Sequence, residues 1–305
     1  MAKIDLIIPT YKPDSSFDTL LRRMAKQTVS LNRIIIMNTE EEFFHSEAVK
    51  ELPNVEVVHI KQKEFDHGGT RHQGAMMSDA EFVLFMTQDA MPKDSKLVEH
   101  LLGAMEDSKV SVAYARQVAD PKKSPMEAFI RTFNYPKESR VKSYEDLETL
   151  GIKTFFCSDV CALYRKSSYI SLGGFPLRTI FNEDMIMASK MIEAHEKVAY
   201  VAEAVVLHYH DYTPKQQLKR NFDLAVSQQM YGGLFLKVSS ESEGIKMVLK
   251  TAGFLVKTGR IHLLPKLVIQ SGAKFIGYKL GRNYERLSQK QIKKLTSSPS
   301  FWESK

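Results

Sequence analysis

Residues 81–90 read EFVLFMTQDA. The apolar run Phe82-Val83-Leu84-Phe85-Met86 is continuous instead of alternating, the pattern of a strand covered on both faces, and it is too short for an ordinary helix. It stops at Thr87 and Gln88, and Asp89 follows as a lone carboxylate before Ala90. Four other β-rich runs read as strands: Ile4–Ile8, Arg33–Met37, Val55–Ile60 and Val110–Ala115. Helical patterns lie between them; from Phe17 to Gln27, Leu20, Leu21 and Met24 keep a period of about 3.6 residues. This alternation predicts an α/β fold with a mostly parallel sheet flanked by helices. In such sheets ligands sit beyond the carboxyl ends of the strands. Polar stretches stand there: PTYKP after the first strand, NTEEE after the second and TQDA after the fourth.

The chain has 305 residues, 43% hydrophobic and 26% charged, enough for a large domain and an appendage. No run approaches the roughly 18 apolar residues of a spanning helix, and Ile8 gives way to proline and polar residues where a cleavable leader would continue, so a cytoplasmic location is expected. Cys157 and Cys161 read as buried free thiols of a reducing compartment, since no second pair completes a zinc site. Between Lys246 and Lys294 twelve Lys or Arg stand against one acid, Glu285, a net +11 in a chain that totals +7, which leaves −4 for the rest. Such a segment calls for an anionic partner, a membrane surface or nucleic acid. Residues 121–154 are charged and irregular and read as a surface excursion. From Thr213 onward the pattern is helical. There Lys266, Gln270 and Lys274 fall four apart, opposite Leu267, Ser271, Phe275 and Tyr278, giving an apolar face with a cationic flank. That suits an interfacial helix, and equally a terminal helix packed on the main domain with solvated lysines.

Several short motifs carry chemistry. Asp89 at a strand end can serve as a hard oxygen ligand for Mg²⁺ or Mn²⁺, or as a turn residue. In FDHGGTRHQGA, Phe65 to Ala75, Gly68 and Gly69 allow close backbone approach before a helix expected to begin near Thr70; its N–H groups and the fork of Arg71 would suit a diphosphate, and a tight turn with a surface arginine accounts for the same letters. FNEDM opens a helical pattern with Glu183 and Asp184, where acids favour the helix dipole; as chemistry, Asp184 is a candidate general base whose pKa Glu183 would raise. In VVLHYH, the end of another strand, His208 and His210 share one face, and one of them can complete a metal site with Asp89.

The order of these motifs is distinctive. From Ile4 to about Val226 the chain resembles the GT-A fold, family 2 glycosyltransferases, and among them bacterial rhamnosyltransferases, on IIPTYKP, FDHGGTRHQGA, FMTQDA, FFCSDVCALYRKSSYISLGGFP, FNEDM and KVAYVAEAVVLHYHDYTPKQQLKRNFD. The resemblance implies a Rossmann-like GT-A catalytic domain over residues 1–215 and a helical, basic extension over 216–305. It implies a nucleotide-sugar site drawing on Pro9, Thr10 and Tyr11, on Asn38 and Glu40, on Asp66, Gly68, Gly69 and Arg71 of the glycine turn, and on Gln88, Asp159 and Arg220. Arg220 closes QLKR, similar to the family's QxxR element. The family's DxD metal motif aligns with Thr87 and Asp89, so one carboxylate remains, and His208 matches the family's histidine ligand. Asp184 matches the catalytic base, with Glu183 beside it.

The resemblance further implies a metal-dependent, inverting transferase that moves L-rhamnose from dTDP-β-L-rhamnose to a growing, lipid-linked or free surface polysaccharide, with Mg²⁺ or Mn²⁺ as cofactor. The basic extension would rest on the anionic inner face of the cell membrane. Nucleic acid is not expected as a partner, and homo-oligomerisation is allowed. Two alternatives stand beside this reading: another donor on the same fold, such as UDP-galactofuranose, UDP-glucose or a UDP-N-acetylhexosamine, and a non-catalytic membrane-binding module.

Overall fold

The computed structural model describes residues 2–235 and 241–303, with the backbone alone at 241–243. It divides into two compact units, one of Met1–Val118, Tyr135–Thr179 and Glu183–His208, the other of Ala119–Asn134, Ile180–Asn182 and Tyr209–Lys305.

The first unit is built on a nine-stranded sheet. Its strands are β1 Ile4–Tyr11, β2 Arg33–Thr39, β3 Val55–Ile60, β4 Phe82–Met86, β5 Met91–Pro92, β6 Val110–Val118, β7 Arg140–Lys142, β8 Cys161–Arg165 and β9 Lys197–Leu207. They run in the order β3-β2-β1-β4-β8-β6-β9-β5, with β7 also on β9. β1, β2, β3 and β4 are parallel, as the alternation of strands and helices predicts. β8 enters antiparallel between β4 and β6, and β5 and β7 pair antiparallel with β9, so the far half of the sheet is mixed.

Both faces of the parallel half are covered. Leu6, Ile8, Leu84 and Met86 join Leu20, Leu21 and Met24 of the helix Ser15–Ala25 in one core. On the other face the helix His67–Met76 comes so near that a Cβ on Gly74 would lie 2.7 Å from Ile7 Cγ2. Behind the end of β4 an aromatic cluster gathers: Phe85 lies 5.4 Å from Tyr164 and 5.0 Å from Phe175 between ring centroids. Phe175 N donates to Tyr169 Oη at 3.1 Å, which anchors the segment leading toward Glu183. Cys157 and Cys161 are buried free thiols.

Residues 121–154, expected to be irregular, include the helix Pro125–Asn134 and strand β7. The pattern hid them because the helix is short and the strand has three residues.

The second unit is helical. Thr213 caps the helix Pro214–Met230 with a reciprocal Gln216 box and Pro214 at the first turn. The helix Leu264–Arg282 packs against it at Gly277 and Gly281, where added Cβ atoms would lie 2.2 Å from Leu218 O and 2.3 Å from Phe222 O. The helix Glu241–Lys257 buries Leu255 against Leu267 and Met126. The expected division of Leu264–Arg282 into one apolar face and a cationic flank is corrected here: Leu267 and Gln270 are both buried, Gln270 Nε2 donating to Tyr212 O at 3.0 Å, while Phe275 is exposed. Apolar residues line two sides of this helix, and the pattern could not tell which side packs. Among the described residues no helix is long and apolar enough to cross a membrane.

Candidate active site

Strand pairing assembles the polar ends. Met91 of β5 pairs with Leu207 of β9, and this brings Asp89, two residues before the first, to His208, one residue after the second. Asp89 Oδ1 lies 3.5 Å from His208 Nε2. The other ring nitrogen, Nδ1, faces Gln117 Oε1 at 3.0 Å. Gln117 Nε2 is committed to the hydroxyls of Tyr135 and of Ser158, the latter at 2.8 Å. Its Oε1 is therefore the acceptor, and Nδ1 of His208 carries the proton.

His208 Nε2 faces the Asp89 carboxylate at that 3.5 Å. Two electron-rich atoms held so, an imidazole nitrogen and a carboxylate oxygen, fit a divalent cation, and a hydrogen-bonded far nitrogen is what orients a ligating histidine. Thr87, at the other position of the strand-end motif, keeps a buried Oγ1 with no partner among the described residues. His210 belongs to the second unit and stacks on Tyr212. Because β9 ends at Leu207, both histidines lie past the strand, and the shared-face expectation for them does not apply.

The acidic pair opens the helix Glu183–Glu193. Glu183 is buried and joined to Arg71 Nη1 at 3.1 Å; both side chains are more than nine-tenths buried. Asp184 Oδ1 accepts from Met185 N at 2.7 Å, and Oδ2 accepts from Asp159 N at 3.3 Å. Burial first and Glu183 second raise the Asp184 pKa to about 7. Asp159 is buried with Oδ1 accepting from Tyr164 Oη at 2.8 Å and Oδ2 without a partner among the described residues; burial, then the neighbouring Asp184, pushes it well up. The three carboxyls thus differ: Glu183 is neutralised by an arginine, Asp159 is deep, and Asp184 is poised near neutrality.

The glycine motif serves this pair. Its helix begins at His67, three residues before the expected start, because Asp66 caps it by accepting from Gly69 N at 2.7 Å. The second Asp66 oxygen accepts from Thr179 N at 2.9 Å, and burial raises this carboxyl to about 6. A Cβ on Gly68 would lie 2.3 Å from Pro176 O and one on Gly69 3.0 Å from Leu177 O. The backbone that approaches these glycines is the protein's own 175–179 segment. Arg71 also donates to His67 O at 2.9 Å, so its fork is turned inward to hold Glu183.

At the end of β1, Pro9 and buried Thr10 precede exposed Tyr11. Thr10 Oγ1 donates to Asn38 Oδ1 at 3.0 Å, and Asn38 Nδ2 donates to Glu40 O at 3.1 Å. Glu40, with φ of 62°, accepts from Gln62 N at 2.7 Å. Tyr11 stands edge-on to Phe43, and Lys12 Nζ lies 4.1 Å from the Phe43 centroid, an open aromatic corner beside the strand ends. Gln88 binds both backbone groups of Tyr11, Oε1 accepting from its N–H at 2.8 Å and Nε2 donating to its carbonyl at 3.2 Å. Arg220 lies in the second unit, its guanidinium 4.7 Å from the Phe181 ring centroid.

Sequence reasoning missed Gln117 and Tyr164, which orient His208 and Asp159. The β-rich run Val110–Ala115 ends before Gln117, whereas β6 reaches Val118. A polar residue inside an extended strand would have been the signal.

The chain is 37% identical over 308 residues to the O-antigen chain rhamnosyltransferase RfbN of Salmonella typhimurium, covering 98% of this chain and 96% of that one. It is 34% identical to the O-antigen chain rhamnosyltransferase WbaN of Salmonella anatum, covering 99% and 96%. Among solved structures, the mannosyltransferase PcManGT of Pyrobaculum calidifontis, in complex with GDP-Man and Mn2+, aligns with a TM-score of 0.61 at 11% identity over 94% of this chain and 88% of that one. Residues 1–349 of S. aureus TarS with UDP-GlcNAc align with a TM-score of 0.52 at 15% identity over 93% and 91%. These two share the fold. Residues 5–173, more than half of the chain, match the family described as Glycosyl transferase family 2. With the strand-end carboxylate, the acidic pair and full-length relatives in agreement, the chain belongs to glycosyl transferase family 2.

Proposed function

We propose that this glycosyltransferase moves L-rhamnose from dTDP-β-L-rhamnose to a hydroxyl of a growing surface polysaccharide, with inversion at the anomeric carbon. The observation that carries the sugar and acceptor class is the kinship, over nearly its whole length, with two O-antigen chain rhamnosyltransferases. The acceptor O–H gives its proton to Asp184, whose value near 7 suits a base at neutral pH. The oxygen forms its bond to the anomeric carbon as the bond to the diphosphate breaks, and that electron pair leaves on the nucleotide. A β-linked donor yields an α-rhamnoside.

Glu183, held by Arg71, fixes the first turn of the helix that carries the base. Asp89 and His208 would hold Mg²⁺ or Mn²⁺. When bound, such an ion supplies positive charge to offset the charge that grows on the leaving diphosphate. Pro9, Thr10, Tyr11, Asn38, Glu40 and Gln88 form the nucleoside end of the proposed site, and Asp66, Gly68 and Gly69 shape the segment bordering the sugar. Asp159 and Arg220 are assigned to the sugar and the diphosphate. The catalytic work is assigned to residues 1–215, and the basic extension 216–305 to holding the enzyme at the inner face of an anionic membrane, where a lipid-linked acceptor would reside.

A donor panel with Mn²⁺, read by release of free nucleotide, tests the donor. Release from dTDP-rhamnose is expected; release from a UDP-sugar with none from dTDP-rhamnose would reject it.

A further inference from the structure

Two consecutive helices of the second unit each leave an apolar stripe open to solvent. On Glu241–Lys257 the stripe is Ile245, Leu249 and Val256; on Leu264–Arg282 it is Val268, Ile269, Phe275 and Ile276. Their exposures run from 51% at Ile276 to 67% at Leu249 and Val268, while Leu255 and Leu267, on the inward faces, are 0% and 4% exposed. Each stripe keeps helical spacing, and Gly253 and Gly272 continue the two surfaces without a neighbour within 4 Å. Each stripe residue of the first helix is followed directly by a lysine: Lys246, Lys250 and Lys257, all exposed. An exposed cationic row therefore runs alongside the apolar row, about 100° round the helix.

We propose that these two helices are a monotopic membrane anchor, laying their outer apolar stripes into the headgroup and acyl boundary of an anionic bilayer while Lys246, Lys250 and Lys257 sit among its phosphates. The inference deepens the proposed membrane association and rests on it; the new content is which side of each helix meets lipid. Charge selects the occupant. From Glu241 to Arg282, the span of both helices, eight Lys or Arg stand against two acids, a net +6, so a second copy of the same face would be repelled, whereas an anionic surface is attracted. Nucleic acid would reward the lysines and leave the apolar rows uncovered. No described helix is long and apolar enough to span, so the helices lie in the plane of the interface.

The test uses the full chain and vesicles of phosphatidylcholine with or without about one-third phosphatidylglycerol, read by flotation. Binding to the anionic vesicles is expected. Leu249→Glu combined with Val268→Glu, and separately Lys246→Gln with Lys250→Gln and Lys257→Gln, should each weaken it at least ten-fold with unchanged melting temperature, since these side chains are exposed. Equal flotation of wild type and both variants overturns the proposal. So does a dimer in light scattering that Val268→Glu converts to monomer, or binding to a DNA duplex that outcompetes the vesicles. Nucleotide release from dTDP-rhamnose is measured in parallel: its loss with vesicle binding intact strikes the transferase reading alone, and its survival with no vesicle binding strikes this inference alone.

Discussion

Asp184 and Glu183 are adjacent in the chain and held in different surroundings, and the cause is local. Arg71 pairs directly with Glu183, whereas at Asp184 two backbone N–H donors and the more distant Arg71 charge are outweighed by burial and the neighbouring Glu183. As the proposed base, Asp184 would act as the carboxylate, so kcat/KM should fall about ten-fold per unit as the pH drops below about 7, as a pH–rate profile will show. Folding favours the protonated carboxyl at this position. That stabilisation is complete below the unfolded value near 4 and is lost as pH rises through about 7. Asp184→Asn is accordingly expected to cut transfer by about 10³-fold, keep donor binding, and raise the melting temperature at pH 8 by about 2 °C, checked by calorimetry and nucleotide release.

Gln117→Leu removes the acceptor that fixes the His208 tautomer. The Mn²⁺ concentration for half-maximal turnover should rise by about 10- to 100-fold. The acids and the histidine were visible in the sequence as candidates because such residue types at the ends of strands and helices are few. Gln117 was not, since a glutamine announces no chemistry until its three partners are known.

At the level of elements, glycines tell packing apart from exposure. Gly277 faces the Leu218 carbonyl and Gly272 faces nothing within 4 Å. Gly277→Ala should destabilise the second unit by about 2 kcal/mol or more, because backbone cannot move aside cheaply. Gly272→Ala should leave it unchanged or more stable by about 0.5–1 kcal/mol, the ordinary helix preference of alanine. Urea unfolding of both variants decides this. Four parallel strands could be read from their alternation with helices, whereas β8 could not be placed: Cys161-Ala162-Leu163-Tyr164-Arg165 is as apolar as its neighbours, and strand direction is set by pairing with β4 and β6, which no local pattern records. For the same reason the sequence suggested a lipid-facing helix but chose Leu267 for the outer face, and only its contact with Leu255 and Met126 reveals the inner one.

For the molecule as a whole, a net +11 segment stands against −4 elsewhere, and this division of charge was readable from composition alone. Neither Asp89 nor His208 belongs to the hydrophobic core of the first unit. Chelation by EDTA is therefore expected to abolish transfer while moving the melting temperature by less than about 2 °C, and added Mn²⁺ should restore activity. Stability and turnover would then answer to different parts of the same unit.

Gln88 ties that unit's chemistry together in one more way. Its amide pairs with both the N–H and the carbonyl of Tyr11, as a neighbouring strand would, and Asp89 is the next residue. Whatever steadies the aromatic corner thereby steadies the carboxylate that would grip the ion. For a nucleotide bound at that corner and a cation at Asp89, thermodynamic reciprocity makes the change each causes in the other's affinity one common factor, and Gln88→Ala should bring that factor toward unity in paired titrations.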